Sequence, residues 1–423
     1  MNRSAAAASE WRANWTVVLA ALAGTAVSTI NAYSTGVFME PLQAAFGWSR
    51  AEISFAMLIN AAFCVVCSPF VGAAADRFGP RWIGLPGAVV LCSLTAALGL
   101  VGPSIYSWWA MFVLISLANL CIVPMIWTSA VTATFNAGRG LALAVALSGT
   151  GLGALVTPAL SVYLIGELGW RAAFPALAGF WALIVIPLLA LFFRTRKKKP
   201  LASGAAAAPK IALAAVVRSD MLNWRFLRLG IATLLIASVA VSFSGTIFPI
   251  LSSVGLDRAQ AAGIASILGI ASICGRLTVG ALLDRFEARF VAAAAVMAPV
   301  VACVLLLAVP GSVPVAALAV IFLGFALGAE LDVVSYLTSR LFDTRHFGML
   351  FGAIVSFITL AGGLGPFLVN SIFDWTGSYR LALMIAIPMC MASALLFLSM
   401  RLPPREHLLE TETDFDGKDA LRV

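Results

Sequence analysis

Along this chain, long apolar stretches alternate with short polar punctuation from one end to the other. A bilayer crossing takes about 20 mostly apolar residues, and twelve such runs can be drawn: 15–39, 53–75, 82–102, 107–131, 139–164, 170–193, 224–250, 259–283, 289–310, 313–338, 347–372 and 379–401. Lipid offers no partners to backbone amides and carbonyls, so each run has to bond internally and is expected to be a helix. The pattern predicts an all-α membrane protein of twelve transmembrane helices. The first run follows a polar lead of fourteen residues, exceeds a signal-peptide core in length and precedes eleven more spans, so it is expected to stay in the mature protein.

Composition agrees. Of 423 residues, 61% are hydrophobic and 11% charged, against about 45–50% and 25% in soluble domains. The seven cysteines all fall inside proposed spans without metal-type clustering, and no redox role is assigned to them. The net charge of +8 raises the question of an acidic partner, and its distribution answers it. With the termini and every even loop on one side, 22 of the 27 basic residues collect there, while Arg50, Arg171, Arg258 and Arg380 lie opposite and Arg276 lies within a span. The positive-inside rule then makes both termini cytoplasmic in a multi-pass protein of the cell inner membrane. No nucleic acid is needed to explain the charge.

Comparing the chain with itself exposes a repeat. Gly72-Ala-Ala-Ala-Asp76-Arg77-Phe78-Gly-Pro-Arg81 matches Gly280-Ala-Leu-Leu-Asp284-Arg285-Phe286-Glu-Ala-Arg289 at an offset of 208, and Gly47-Trp-Ser-Arg50-Ala51-Glu52 matches Gly255-Leu-Asp-Arg258-Ala259-Gln260 at the same offset. Segments an even number of crossings apart share an orientation, so two parallel six-helix bundles related by a pseudo-two-fold axis along the membrane normal are expected. The divisions are a cytoplasmic segment 1–14, bundles 15–193 and 224–401, a linker 194–223 with a short amphipathic helix near 210–219, and a tail 402–423 expected to be disordered.

The doubled G-x-x-x-D-R loop in a twelve-span protein resembles the signature loop of the major facilitator superfamily. That resemblance implies alternating access, with loop charges that engage the opposite half and lock one state. It assigns conformational gating to Gly72, Asp76, Arg77 and Arg81, with Asp284, Arg285 and Arg289 as a second copy in which Glu287 replaces the glycine. Asp343 and Arg345 are candidate partners across the cytoplasmic seam. Phe135-Asn-Ala-Gly-Arg139-Gly140 and Gly275-Arg276 are similar to the monocarboxylate and oxalate/formate branch, which implies a carboxylate held by the helix 8 arginine. The chain departs from that branch in having no lysine in the membrane.

The residues themselves point to the same place. An arginine inside a span is disfavoured by roughly 2.5–3.5 kcal/mol on insertion scales, so Arg276 either binds an anion, which its planar fork suits, or pairs with an acid to hold helices together. Glu330 and Asp332 lie at comparable depth on helix 10, about 200° apart around it, and Asp332 is favoured for the cavity. Substrate reaching Arg276 would change the charge state of that acid, which makes Asp332 and Glu330 the proton-coupling candidates; a permanent ion pair is the alternative. Helices 1, 4, 7 and 10 line the cavity in the superfamily, and by that resemblance Tyr33, Asn31, Trp127 and Asn119 become substrate-contact candidates, although a buried asparagine also serves as glue between helices.

With histidines only at 346 and 407 and no Walker motif, neither catalysis nor ATP use is indicated, and no metal or cofactor is expected. The expected function is secondary transport of a small organic anion, coupled to protons or a counter-anion, by a monomer in the bilayer. Efflux of apolar or cationic compounds is the alternative.

Overall fold

The computed structural model describes residues 3–135, 138–193, 223–342 and 347–400, and among them it is all-helical. The elements are α1 (Arg3–Val27), α2 (Ile30–Phe46), α3 (Arg50–Phe78), α4 (Pro80–Ala97), α5 (Ile105–Leu120), α6 (Pro124–Thr134), α7 (Arg139–Leu147), α8 (Gly149–Phe192), α9 (Trp224–Ser253), α10 (Arg258–Arg285), α11 (Ala288–Ala308), α12 (Val313–Leu341), α13 (Phe347–Thr376) and α14 (Arg380–Leu398). The expected linker helix, the tail, Asp343 and Arg345 lie outside the described residues.

Eleven segments among the described residues are long and apolar enough to cross a membrane. The longest, 140–192, covers two of the expected runs. Gly169 interrupts it at φ 74°, ψ 160°, a conformation that a residue with a Cβ rarely adopts. The chain reverses there. Before the break, α8 runs parallel to α1, with Gly149 against Leu22 and Gly153 against Ala26. After it, α8 runs antiparallel to α4: Arg171 donates to the carbonyls of Gly99 and Val101 at 3.0 and 3.2 Å, and Arg81 donates to that of Ala190 at 2.7 Å. α1 and α4 share a direction, because the Trp127 ring touches both Gly24 and Gly84 while Asn31 reaches Thr95 further along.

Two apolar cores form, one almost wholly from residues of 223–400 and the other from 3–193. The second contains Trp108, Trp127 and a stacked Phe38–Phe174 pair at 3.9 Å. Between the cores the helices meet through small residues. A Cβ at Gly269 would strike Gly151 and Leu155, which brings α10 directly onto α8, and a Cβ at Gly363 would strike Met57 and Ala61, which brings α13 onto α3. Close backbone approach of this kind replaces the hydrophobic drive that lipid does not supply. The cytoplasmic lead expected at 1–14 is helical from Arg3 and continuous with the first crossing.

Replacing Gly269 with valine should lower stability by about 1–3 kcal/mol through overpacking. Gly263→Val, on the same helix but facing open space, should cost much less. Thermal melting of the two purified variants separates them, and equal melting would contradict this packing.

Candidate functional site

The site grows out of one helix crossing. Gly324 and Gly328 stand one turn apart on α12 and, with Gly275 of α10, remove the side chains that would hold the two helices apart. A Cβ at Gly324 would meet Leu268 and Ala271, one at Gly275 the backbone of Phe325, and one at Gly328 the Ser272 carbonyl and the Arg276 amide. Asp332 follows Gly328 by one further turn on the same stripe and so arrives beside Arg276, with Oδ2 3.9 Å from Nε. That is an ion pair too long to be a hydrogen bond. Arg276 Nη1 is buried and has no hydrogen-bond partner.

Arg276 forms part of the wall of a cavity of about 310 Å³. Tyr33 comes to it from α2, Ser148 and Thr150 from the α7–α8 junction, Ser244 from α9, Ser272 from α10 and Glu330 from α12, among apolar groups such as Met57, Val241, Leu327 and Ile358. Of the two acids on α12, Glu330 is among the residues that line this cavity and Asp332 is not. The glycine stripe that carries Asp332 is the face packed on α10, which sets Asp332 beside Arg276, whereas Glu330 borders both this cavity and a small apolar pocket with Ala292, Val296 and Phe397. Glu330 is 7% exposed, and its Oε1 is buried without a hydrogen-bond partner.

Of the four substrate-contact candidates, only Tyr33 reaches this cavity. Asn31 is buried and its amide donates to Thr95 Oγ1 at 3.2 Å, tying α2 to α4. Asn119 donates to Asn60 Oδ1 at 3.0 Å, tying α5 to α3. Both asparagines face a smaller neighbouring cavity of about 170 Å³ that shares Ala32, Met57 and Gly362 with the first. Trp127 is fully buried against Gly24 and Gly84, with its indole donating to Ile122 O at 2.8 Å, and it lines neither cavity.

In the signature loop, α3 runs on through Gly72, Asp76 and Arg77 to Phe78, and the chain turns at Gly79 with φ 89°. The second copy turns without a left-handed residue, Glu287 standing at φ −68°. Arg81 caps the end of α8 within its own half instead of crossing the seam. Arg289 pairs with Glu287 at 2.8 Å, and Arg285 is exposed at the end of α10. The side chains of Asp76, Arg77 and Asp284 lie outside the described residues.

Among the described residues, a set of polar bonds joins the two cores at the other end, away from the termini. The Asp374 carboxylate accepts the Arg50 and Ala51 amides at 3.1 and 2.7 Å, where the helix dipole of α3 favours an anion. Trp108 and Trp109 of α5 brace that helix start by donating to the carbonyls of Ile53 and Glu52. The buried Arg50 guanidinium donates to Tyr379 Oη at 2.9 Å and to Gln43 at 3.1 Å, and it lies 3.9 Å from the Phe373 ring centroid. Tyr379 in turn donates to Asn370 at 2.7 Å, and Asn370 donates to Ser54 at 2.8 Å. Arg258, the repeat partner of Arg50, crosses in the opposite sense to Glu40 at 3.5 Å. Local pattern marks both arginines only as loop charges; their shared place in the repeat is the signal that sets them apart.

Across residues 21–366 the sequence matches the family described as the Major Facilitator Superfamily. The chain belongs to that superfamily. This facilitator is 24% identical to monocarboxylate transporter 13 of Bos taurus, over 88% of this chain and 85% of that protein. It is 22% identical to monocarboxylate transporter 12 of Homo sapiens, over 96% and 83%, and 26% identical to an agnestins efflux protein of Paecilomyces divaricatus, over 88% and 83%. Among solved structures, a D-xylose-proton symporter superposes with a TM-score of 0.73 at 15% identity, over 91% of this chain and 97% of that one. An inward-facing, unoccupied bacterial homologue of the lysosomal transporter Spinster superposes with a TM-score of 0.69 at 18% identity, over 90% and 92%. The facilitator is therefore a multi-pass membrane transporter and not an enzyme.

Tyr379→Phe removes a hydroxyl that both accepts from Arg50 and donates to Asn370, leaving two buried polar groups short of a partner. The expected cost is about 1–3 kcal/mol, read as a lower melting temperature of the purified protein. Unchanged melting would remove this tyrosine from the network.

Proposed function

We propose that this facilitator carries a small organic anion, a carboxylate, across the inner membrane by alternating access, with transport coupled to protons. The observation that carries the reading is Arg276: a cation in the wall of a membrane-embedded cavity, loosely paired with Asp332 and with a buried Nη1 that has no partner. A carboxylate entering there would complete the guanidinium's bonding and compete with Asp332 for it, which couples substrate to the protonation of the acids on α12. Two relatives that match across most of the chain bear the name monocarboxylate transporter.

The machine would comprise twelve crossings, in bundles 15–193 and 224–401, because the reversal at Gly169 divides the longest apolar segment into two. Both termini would be cytoplasmic, since 22 of 27 basic residues collect on that side. The network around Arg50 would then be the closed outer gate of an inward-facing state, and the signature loops the gate of the opposite state. Asp332 and Glu330 would share the proton step, Asp332 releasing Arg276 as it takes up a proton and Glu330 holding one at the cavity wall.

A second reading, efflux of apolar or cationic compounds, draws on the largely apolar cavity, on the buried Glu330 and on the relative named as an efflux protein. One reconstitution separates the two. Proteoliposomes are offered radiolabelled acetate, pyruvate and benzoate on one hand and tetraphenylphosphonium on the other, under an imposed pH gradient. The carboxylate reading predicts uptake of a carboxylate that falls tenfold or more in Arg276→Ala, since hydrogen bonds to a charged group are each worth about 1.5–3 kcal/mol. It also predicts that proton movement on substrate addition is lost in Asp332→Asn. Transport of the cation alone, indifferent to Arg276, would establish the second reading instead.

A further inference from the structure

A second basic site stands outside the transport cavity. At the end of the molecule that carries the termini, Arg225 and Arg228 of α9 face the start of the chain beyond α14, and together with Leu341, Ser399 and Met400 they line a cavity of about 220 Å³. Arg228 Nη1 donates to the Ser399 carbonyl at 3.2 Å, while its Nε is buried with no hydrogen-bond partner. The guanidinium lies 5.4 Å from the Trp224 ring centroid, which keeps its plane oriented beside the cavity. Two cations therefore converge on a space among the described residues that holds no carboxylate.

What surrounds the cavity indicates its occupant. Trp224, Leu227 and Ile231 are exposed on α9, and Leu395, one turn before Ser399 on the same stripe of α14, is exposed too. Ser393 donates to the Ala232 carbonyl at 2.8 Å, so the two helices are in contact immediately beneath the cavity. Along α9 the order inward from the helix end is Trp224, Arg225, Leu227, Arg228 and Ile231, so a tryptophan and two arginine forks stand together at the end of the helix and aliphatic side chains continue deeper, as at the interface of a bilayer leaflet. A soluble anion would use the arginines and leave the apolar strip bare. A phosphodiester with acyl chains would use both.

We propose that this groove between α9 and α14 binds one anionic phospholipid, its phosphate on Arg225 and Arg228 and its acyl chains along Leu227, Ile231 and Leu395. Arginine forks match phosphate geometry, and basic pockets between membrane helices on the cytoplasmic side are suited to acidic headgroups. The lipid would tie α9, the first helix after the linker, to α14, the last, and so brace the C-terminal half without touching the transport cavity.

The test uses the full-length protein in nanodiscs of phosphatidylcholine with or without phosphatidylglycerol, read by melting temperature and by the lipids retained in native mass spectra. The unsubstituted protein should melt higher with phosphatidylglycerol and retain one copy of it. Arg225→Gln with Arg228→Gln should lose both effects, whereas Arg380→Gln, an exposed arginine at the opposite end, should keep both. If the double variant does not fold, Arg225→Gln alone, at an exposed side chain, should still retain severalfold less lipid. Undiminished retention in either variant overturns the proposal. So does an equal rise in melting temperature with inorganic phosphate, or retention that appears only after removal of the acidic residues 406–423, which would make the tail the occupant.

Discussion

A positive charge inside a membrane span has to be answered by its surroundings, and much of the C-terminal half is arranged around that requirement at Arg276. The cost of an unanswered guanidinium at this depth is several kcal/mol, large against the stability of any one helix contact. The answer begins with glycines. Gly275, Gly324 and Gly328 let α10 and α12 touch backbone to backbone, and that contact sets the depth at which Asp332 meets Arg276. A tighter pair would neutralise both groups permanently. At 3.9 Å the bond is incomplete, and the guanidinium keeps an unused nitrogen next to a cavity large enough for a small acid.

The same economy governs the end away from the termini. Arg50 is also a buried cation, and it is met by a hydroxyl, an amide and an aromatic face instead of a direct ion pair. Asp374 meanwhile addresses the backbone of the helix that carries Arg50. Bonds of this kind are individually modest, and they are directional. A set of them spread over α2, α3, α13 and the start of α14 holds only while those helices keep one relation, the property that the proposed gate would use. With Arg258 crossing the other way to Glu40, the two arginines that the sequence repeat places in register each reach into the opposite half.

Much of this was legible in the sequence, and the parts that were not have identifiable reasons. The helices and the reversal near residue 169 follow from run length and a glycine. Arg276 stood out because charge in a span is rare, and Asp332 and Glu330 because they lie level with it. Which of the two borders the cavity depends on the packing of α12 on α10, which the spacing of Gly324 and Gly328 marks but does not aim. Trp127 lines neither cavity, since knowing which helices line a cavity does not say which side of a helix does so. The contacts of Arg50 could not be read from local pattern, since Asp374 lies 324 positions away in the chain.

The central claim is that Arg276 holds a carboxylate in the cavity it lines. It is tested most directly by placing a single cysteine at Ser244, on the cavity wall contributed by α9, in a background whose seven native cysteines are replaced, and following its reaction with a membrane-impermeant thiol reagent. The account predicts that acetate, pyruvate or benzoate slows labelling, and that the protection disappears in Arg276→Ala while labelling itself persists. Protection that survives removal of the arginine, or its absence with every carboxylate while the unsubstituted protein still transports one of them, would contradict it.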